Sequence, residues 1–320
     1  MAIANGCAPE GPLEKDTLTI VLISDVHSSM VNVTRCVEKT AFLQLWPDFV
    51  FLTGDIANMD NKQPNDIAVV SKFEGDVAAI LEEAGRVAGK VVYLPGNHDP
   101  PTLFDRDEAP SLCSSAYNIH CRRLRIAKNL VLVGFGGAPP AFRQNGIGRE
   151  KVWDGYPFDN ELEMKRSMRD FFSESANPAR VPLLGQRKED KGTIPRPALF
   201  CSMEDDLTLP LKPKDQIIFL SHCGPASSKT TIVEAEDGSG KIYSGSTSVE
   251  DLLCHRDNPS RAVVCIHGHT HASRGQAKVA DVPVVNPGSL KEGNFAVLQL
   301  VRENQKWRIG DLKLLTLNDV

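Results

Sequence analysis

Short apolar runs bounded by turn residues constrain the fold of this chain more than any other feature. They are TLTIVLIS at 17–24, DFVFLTG at 48–54, VVYLPG at 91–96, NLVLVGFGG at 129–137, QIIFLS at 216–221 and AVVCIHG at 262–268. Runs of this length, rich in Val, Ile, Leu and Phe, read as buried strands. Between the first three lie segments of helical spacing, roughly 31–46 and 66–88; the second repeats apolar residues at Val69, Phe73, Val77, Ile80, Leu81 and Ala84. Strand and helix in alternation imply an α/β architecture with parallel pairing and right-handed crossovers. After residue 272 the pattern changes to short strands with turns, QAKVADVPVVNPGS, NFAVLQLV and KWRIGDLKLLTL, which predict antiparallel pairing.

Residues 1–15 carry Gly, Pro and charge without periodicity and read as a flexible lead-in. Residues 16–320 read as one domain with an irregular insertion at about 138–213. That insertion holds one amphipathic candidate helix, about 159–173, and then Pro178, Pro182, Pro195, Pro197, Pro210 and Pro213 among charges. Such stretches serve as lids or mobile insertions, and a plain surface excursion fits equally well. Its cations, Arg180, Arg187, Lys188, Lys191 and Arg196, read as a solvated run.

Lys plus Arg number 36 against 41 Asp plus Glu, a net charge of −5. No global basic field therefore draws the chain to DNA, RNA or anionic lipid. There is no apolar leader and no membrane-length apolar stretch. The 8 cysteines show neither C-x-x-C pairs nor a dense framework, so they read as reduced thiols in a cytoplasmic protein.

The chemistry lies directly after the runs. Asp25 and His27 come after the first, Asp55 after the second, and Asn97, His98 and Asp99 after the third; His222 comes after QIIFLS, and His269 and His271 after AVVCIHG. Alone, each reads as a helix or turn cap or a structural histidine. Together they point to one sheet edge, because ligands in open α/β sheets sit at the carboxyl ends of strands. Carboxylate, amide and imidazole donors without thiolate suit Mn, Fe, Zn or Co. The set Asp25, His27, Asp55, Asn97, His222, His269 and His271 exceeds what one tetrahedral ion uses and suits two divalent metal ions sharing a carboxylate. Two ions ~3.5–4 Å apart polarise a phosphoryl group and activate water for in-line displacement. His98, with Asp99 beside it, is placed to assist the leaving alkoxide.

The ordered set Asp25-x-His27, Gly54-Asp55, Gly96-Asn97-His98-Asp99, His222 and Gly268-His269-x-His271 resembles the calcineurin-like metallophosphoesterase superfamily over residues 25–271. The resemblance implies an α/β four-layer sandwich, two mixed β-sheets packed face to face and flanked by helices. It implies one ion on Asp25, His27, Asp55 and His271 and a second on Asp55, Asn97, His222 and His269, with His98 stabilising the transition state or protonating the leaving group. His267 has no counterpart among the family's ligands and reads as a supporting residue.

Within the superfamily, the arginine of the GDxxDRG protein phosphatases is missing, and Asn58 stands where purple acid phosphatases carry tyrosine. Pro100 after GNHD is a partial match to repair nucleases, against which the acidic balance argues. The segments SHCGP, SGSTSVEDLL, GHTHASRG and VVNPGSL are similar to the Icc-related predicted phosphoesterases, and Asn286 to Ser289 reads either as a tight turn near the metals or as a plain structural turn. The implied activity is hydrolysis of a small, nucleotide-like phosphodiester or phosphomonoester by attack of a metal-bridging hydroxide on phosphorus, the diester slightly favoured. The alternatives are a non-catalytic metal-binding scaffold and a nuclease. The partner expected is a small phosphorylated substrate, since nothing basic or aromatic signals a nucleic-acid groove; no protein partner is indicated.

Overall fold

The computed structural model describes residues 15–60, 66–105, 109–145, 148–172, 212, 214–255 and 258–319. In chain order the main elements are β1 (Thr17–Ile23), α1 (Met30–Phe42), β2 (Phe49–Leu52), α2 (Ile67–Ala88), β3 (Val91–Tyr93), β4 (Ala116–Asn118), β5 (Arg122–Ala127), β6 (Leu130–Phe135), β7 (Ala141–Asn145) and β8 (Gly148–Trp153). They continue as α3 (Glu161–Phe172), β9 (Gln216–Ser221), β10 (Ile232–Glu234), β11 (Lys241–Tyr243), α4 (Thr247–Cys254), β12 (Ala262–Ile266), β13 (Gly275–Val279), β14 (Val282–Asn286), β15 (Asn294–Glu303) and β16 (Lys306–Thr316). One six-stranded sheet runs β16-β15-β1-β2-β3-β4 and another runs β13-β14-β12-β9-β6-β5. Their central strands pair in parallel, as the βαβ alternation predicts, and β15 and β16 pair antiparallel.

Side-chain alternation explains the layering. Along β1, Leu18, Ile20 and Leu22 point into the space between the sheets, where they meet Leu132, Ile218, Leu220 and Val264 of the second sheet. Val21 and Ile23 point the other way, onto Val33 and Cys36 of α1 and Val77, Ile80 and Leu81 of α2. The second sheet does the same: Val131, Val133, Ile217 and Phe219 pack outward against Met164 and Met168 of α3 and Val249 and Leu253 of α4. Strands buried on both faces lose polar alternation and read as continuous apolar runs. The result is the four-layer sandwich of two mixed sheets flanked by helices.

Helix α2 starts where Asp66 accepts hydrogen bonds from the amides of Ala68 and Val69, and it ends at Gly89 in the left-handed region. Among the described residues no helix is long and apolar enough to cross a membrane. Cys36, Cys113, Cys121, Cys223, Cys254 and Cys265 are free thiols.

The first part of the 138–213 insertion is more ordered than its sequence implies. β7 and β8 form a hairpin that joins β11 and β10 in a four-stranded sheet, order β10-β11-β7-β8. The run GREKVW is nearly all exposed, so it lacks the apolar alternation by which a strand is recognised. Its partner β7 is held by pairing with β11, about a hundred residues away in sequence (Gln144 opposite Lys241). The expected helix is α3, and its Glu161 carboxylate accepts from the Thr247 and Ser248 amides and the Ser246 and Ser248 hydroxyls at the start of α4. The rest of the insertion, with Arg180, Arg187, Lys188, Lys191 and Arg196, lies outside the described residues, as does the lead-in up to residue 14.

Candidate metal centre

The turns that leave β1, β2, β3, β9 and β12 meet at one edge of the sandwich. The amide of Asp25 donates to the Gly54 carbonyl at 3.1 Å and that of His27 to the Asp55 carbonyl at 2.9 Å, which ties the first two turns together. Asp25, His27, Asp55 and His269 have φ of 52°, 49°, 50° and 65°. Non-glycine residues seldom adopt this left-handed backbone, and such strain concentrates at functional sites. Close approach needs glycine at two flanking points. A Cβ on Gly96 would lie 2.2 Å from the Asp55 amide nitrogen, and one on Gly268 1.7 Å from the Ser24 hydroxyl.

Two donor groups result. Asp25, His27, Asp55 and His271 offer atoms within 4.8 Å of one another, and so do Asp55, His222 and His269. In the first, Nε2 of His27 and of His271 are 3.1 Å apart, and His271 Nε2 is 3.3 Å from Asp25 Oδ1. In the second, His222 Nε2 is 2.9 Å from Asn97 Oδ1. Asp55 lies between them, its Oδ2 3.8 Å from His27 Nε2 and its Oδ1 3.4 Å from His222 Nε2. The His98 amide donates to Asp55 Oδ1 at 2.7 Å, and the His98 ring lies 5.2 Å from that of His27.

The outer ring nitrogens are occupied by acceptors. His222 Nδ1 donates to the Thr53 carbonyl at 2.7 Å, His27 Nδ1 to Asn58 Oδ1 at 3.0 Å and His98 Nδ1 to the Met59 carbonyl at 3.2 Å. His271 Nδ1 is 3.4 Å from Glu292 Oε1. A histidine that donates through one nitrogen presents a lone pair at the other, the usual arrangement around a metal ligand. Nε2 of His269 is buried with no hydrogen-bond partner. Converging lone pairs, carboxylates and an orphaned buried imidazole nitrogen fit divalent cations.

The electrostatics agree. Burial alone would raise the Asp25 and Asp55 carboxyls, but neighbouring histidines, His271 for Asp25 and His222 for Asp55, outweigh it and hold both below the usual carboxylate range. Burial pulls His269 down to about 3, the His222 charge adding to it, so that this imidazole stays neutral. Burial would lower His222 and His271 as well, but the Asp55 carboxylate pushes His222 up to about 9 and Asp25 raises His271, so these two would become lone-pair donors by giving up a proton as a cation binds.

Asp99 and His267 play other parts. The Asp99 carboxylate is fully buried and accepts from the amides of Gly96 at 2.7 Å, Ala57 at 2.6 Å and Ile56 at 3.2 Å. Burial, and then the Asp55 charge, push it up to about 7 against those three amides. It therefore clamps the second turn to the third, while the ring of His98 is oriented by the Met59 carbonyl. His267 donates to the Gly268 carbonyl and accepts from the Thr230 hydroxyl at 2.7 Å, which supports the turn carrying His269 and His271. The turn at 286–289 braces the same region: Asn286 donates to the Thr270 carbonyl and the Ser289 hydroxyl to the Asp25 carbonyl.

Thr53, Asn58, Met59, Glu292 and Trp153 surround the centre without having been foreseen. Two of them act through backbone carbonyls, which leave no trace in side-chain identity. Asn58 reads in the sequence only as the absence of a tyrosine, and Glu292 stands at no diagnostic spacing. Trp153, whose ring meets that of His269 edge-on at 6.0 Å, belongs to the hairpin that the sequence did not reveal.

The profile of the calcineurin-like phosphoesterase family matches residues 18–273. No curated protein matches the sequence. One solved chain aligns over 94% of this chain and 100% of its own length, with 17% identity and a TM-score of 0.57, a likeness of fold. The TT1561 protein of Thermus thermophilus aligns over 94% of this chain and 100% of its own, with 14% identity and a TM-score of 0.48. A dimetal phosphatase from Danio rerio aligns over 94% and 99%, with 13% identity and a TM-score of 0.45. With most of its length matched by the family profile and the ligand groups of a dimetal centre assembled at one sheet edge, the chain belongs to the calcineurin-like phosphoesterase family.

Proposed function

We propose that the protein is a dimetal-dependent phosphoesterase that hydrolyses a small phosphodiester or phosphomonoester, the diester favoured, in the cytoplasm. The observation that carries this reading is the position of Asp55, whose two carboxylate oxygens face different histidine groups. In this reading Asp25, His27, Asp55 and His271 hold one divalent ion, and Asp55, Asn97, His222 and His269 hold the other, as Mn, Fe, Zn or Co. When bound, such a pair polarises the phosphoryl oxygens and activates water for in-line attack at phosphorus.

The chain's own residues do the rest. Thr53 and Asn58 fix the tautomers of His222 and His27, so that their Nε2 lone pairs point inward. His98 stands outside both donor groups, its Nδ1 proton held by the Met59 carbonyl, and its Nε2 is available to hold a proton for the departing oxygen. Asp99 is a positioning residue that sets the distance between the Asp55 and Asn97 turns.

The test is an assay of purified protein, with Mn²⁺ supplied and metal content measured, on matched model monoester and diester substrates. Turnover of either supports the proposal. Bound metal with no turnover of either would falsify it, and cleavage confined to DNA would move the assignment to a nuclease.

A further inference from the structure

We infer that Trp153 is a specificity-determining residue, a fixed aromatic wall beside His269 that favours phosphoesters bearing a planar base or aryl group. The inference deepens the proposed function and rests on it for the location of the phosphate.

Three observations carry it. First, the indole of Trp153 lies 6.0 Å from the His269 imidazole at an interplanar angle of 81°, so it borders the second donor group directly. Secondly, the residue is not absorbed into the packing: 37% of it remains exposed, although a tryptophan gains by burial and the hairpin offers a core to fill. An open aromatic surface within one ring's reach of a phosphate site is what base stacking uses, since every base has a π-face.

Thirdly, the wall is rigid. Trp153 closes β8 opposite Ala141, and β7 is itself paired to β11. Directly after it the chain returns to the body of the sandwich, where Tyr156 and Ala138 exchange backbone hydrogen bonds at 2.9 Å. Gly155 is packed so tightly that a Cβ there would lie 2.3 Å from the Phe158 carbonyl oxygen. Farther on, Phe158 and Met164 are buried against the second sheet, and Glu161 is bonded to the start of α4. An aromatic surface held in place this way loses little conformational freedom when a planar group settles on it.

The experiment compares two ligands that differ only in the base, adenosine 5′-monophosphate and ribose 5-phosphate, on the metal-loaded full-length protein. Binding is measured by titration calorimetry for wild type, Trp153→Phe and Trp153→Ala. Wild type is expected to prefer the adenosine ligand by ~10-fold or more, Trp153→Phe to keep most of that preference and Trp153→Ala to abolish it, with ribose 5-phosphate affinity unchanged within about twofold. An equal preference in wild type and Trp153→Ala overturns the inference, as does failure of wild type to bind either ligand. Loss of metal from Trp153→Ala also overturns it, because Trp153 would then act only by packing on His269. A base preference that Trp153→Ala abolishes, in a protein that turns over no ester, leaves the wall standing and removes the hydrolytic reading instead.

Discussion

Nε2 of His27 and Nε2 of His271 face each other at 3.1 Å, brought together from positions 244 residues apart in sequence. Their outer nitrogens face acceptors, Asn58 Oδ1 for His27 and Glu292 Oε1 for His271. With the His271 proton released, both nitrogens would offer lone pairs to a cation at that point, and the carboxylates of Asp25 and Asp55 border it.

Removing the shared carboxylate disrupts both groups at once. Asp55→Ala is expected to lower metal affinity by more than the ~10–100-fold that loss of an outer partner costs, and to abolish hydrolysis. Metal content by mass spectrometry checks the first part. A thermal scan gives a second readout: added Mn²⁺ is expected to stabilise wild type by ~2.7 kcal/mol at a hundred times its Kd, and that gain should disappear in the variant.

His98→Ala separates chemistry from metal binding. Its ring belongs to neither donor group, so the variant is expected to keep its metal while losing ~10²–10⁴-fold in kcat. Steady-state kinetics alongside metal analysis decides the matter. A metal-depleted variant would mean that the ring is a ligand.

Asp99→Ala leaves the amides of Ile56, Ala57 and Gly96 without their acceptor in a fully buried place. The expected loss of stability is at least ~1–3 kcal/mol in urea unfolding, since an orphaned buried donor carries its whole desolvation cost. Asp99→Asn keeps one acceptor oxygen and should fall between. A variant as stable as wild type would remove the clamp.

A site far from the metals tests the packing of the second sheet. Arg125 makes a two-pronged ion pair with Asp215, at 2.7 Å for each contact, and the Asp215 side chain is fully buried. Arg125→Met leaves that carboxylate the Lys212 amide and the nearby Arg261 charge but removes two charged hydrogen bonds, and it is expected to cost ~1.5–3 kcal/mol at neutral pH. Burial would raise the Asp215 carboxyl, but the Arg125 hydrogen bonds and the Lys212 amide hold it below its usual value. A carboxyl held low when folded contributes stability above its unfolded pKa, ~3.9, and loses it as pH falls through the folded value. The unfolded state is common to both proteins, so wild type should lead the variant at neutral pH and the margin should narrow as pH falls from the variant's folded Asp215 value, which burial raises, towards the lower wild-type value. Urea titrations across that range check both sign and window; a margin that grows on acidification contradicts it.

The strands of both main sheets other than the edge strands β4 and β5, helices α1 and α2, and the donors at the strand ends were legible from residue types alone. Central strands buried on two faces must be apolar throughout, and a polar residue directly after such a run stands out. Asp25, His27, Asp55, Asn97, His222, His269 and His271 all announced themselves in this way. The hairpin that bears Trp153 did not, because β8 is exposed and β7 owes its pairing to β11.

What the sequence by itself determined is therefore which segments must be buried and which donor types stand at their ends, since burial and periodicity are local properties of the chain. Only the tertiary structure decided which oxygen of Asp55 faces which histidine, that Asp99 clamps two turns while Met59 orients His98, and that Trp153 stands beside His269. Those relationships depend on distances of a few ångströms between residues far apart in sequence, and they become defined only when the two sheets pack and bring their turns to a common edge.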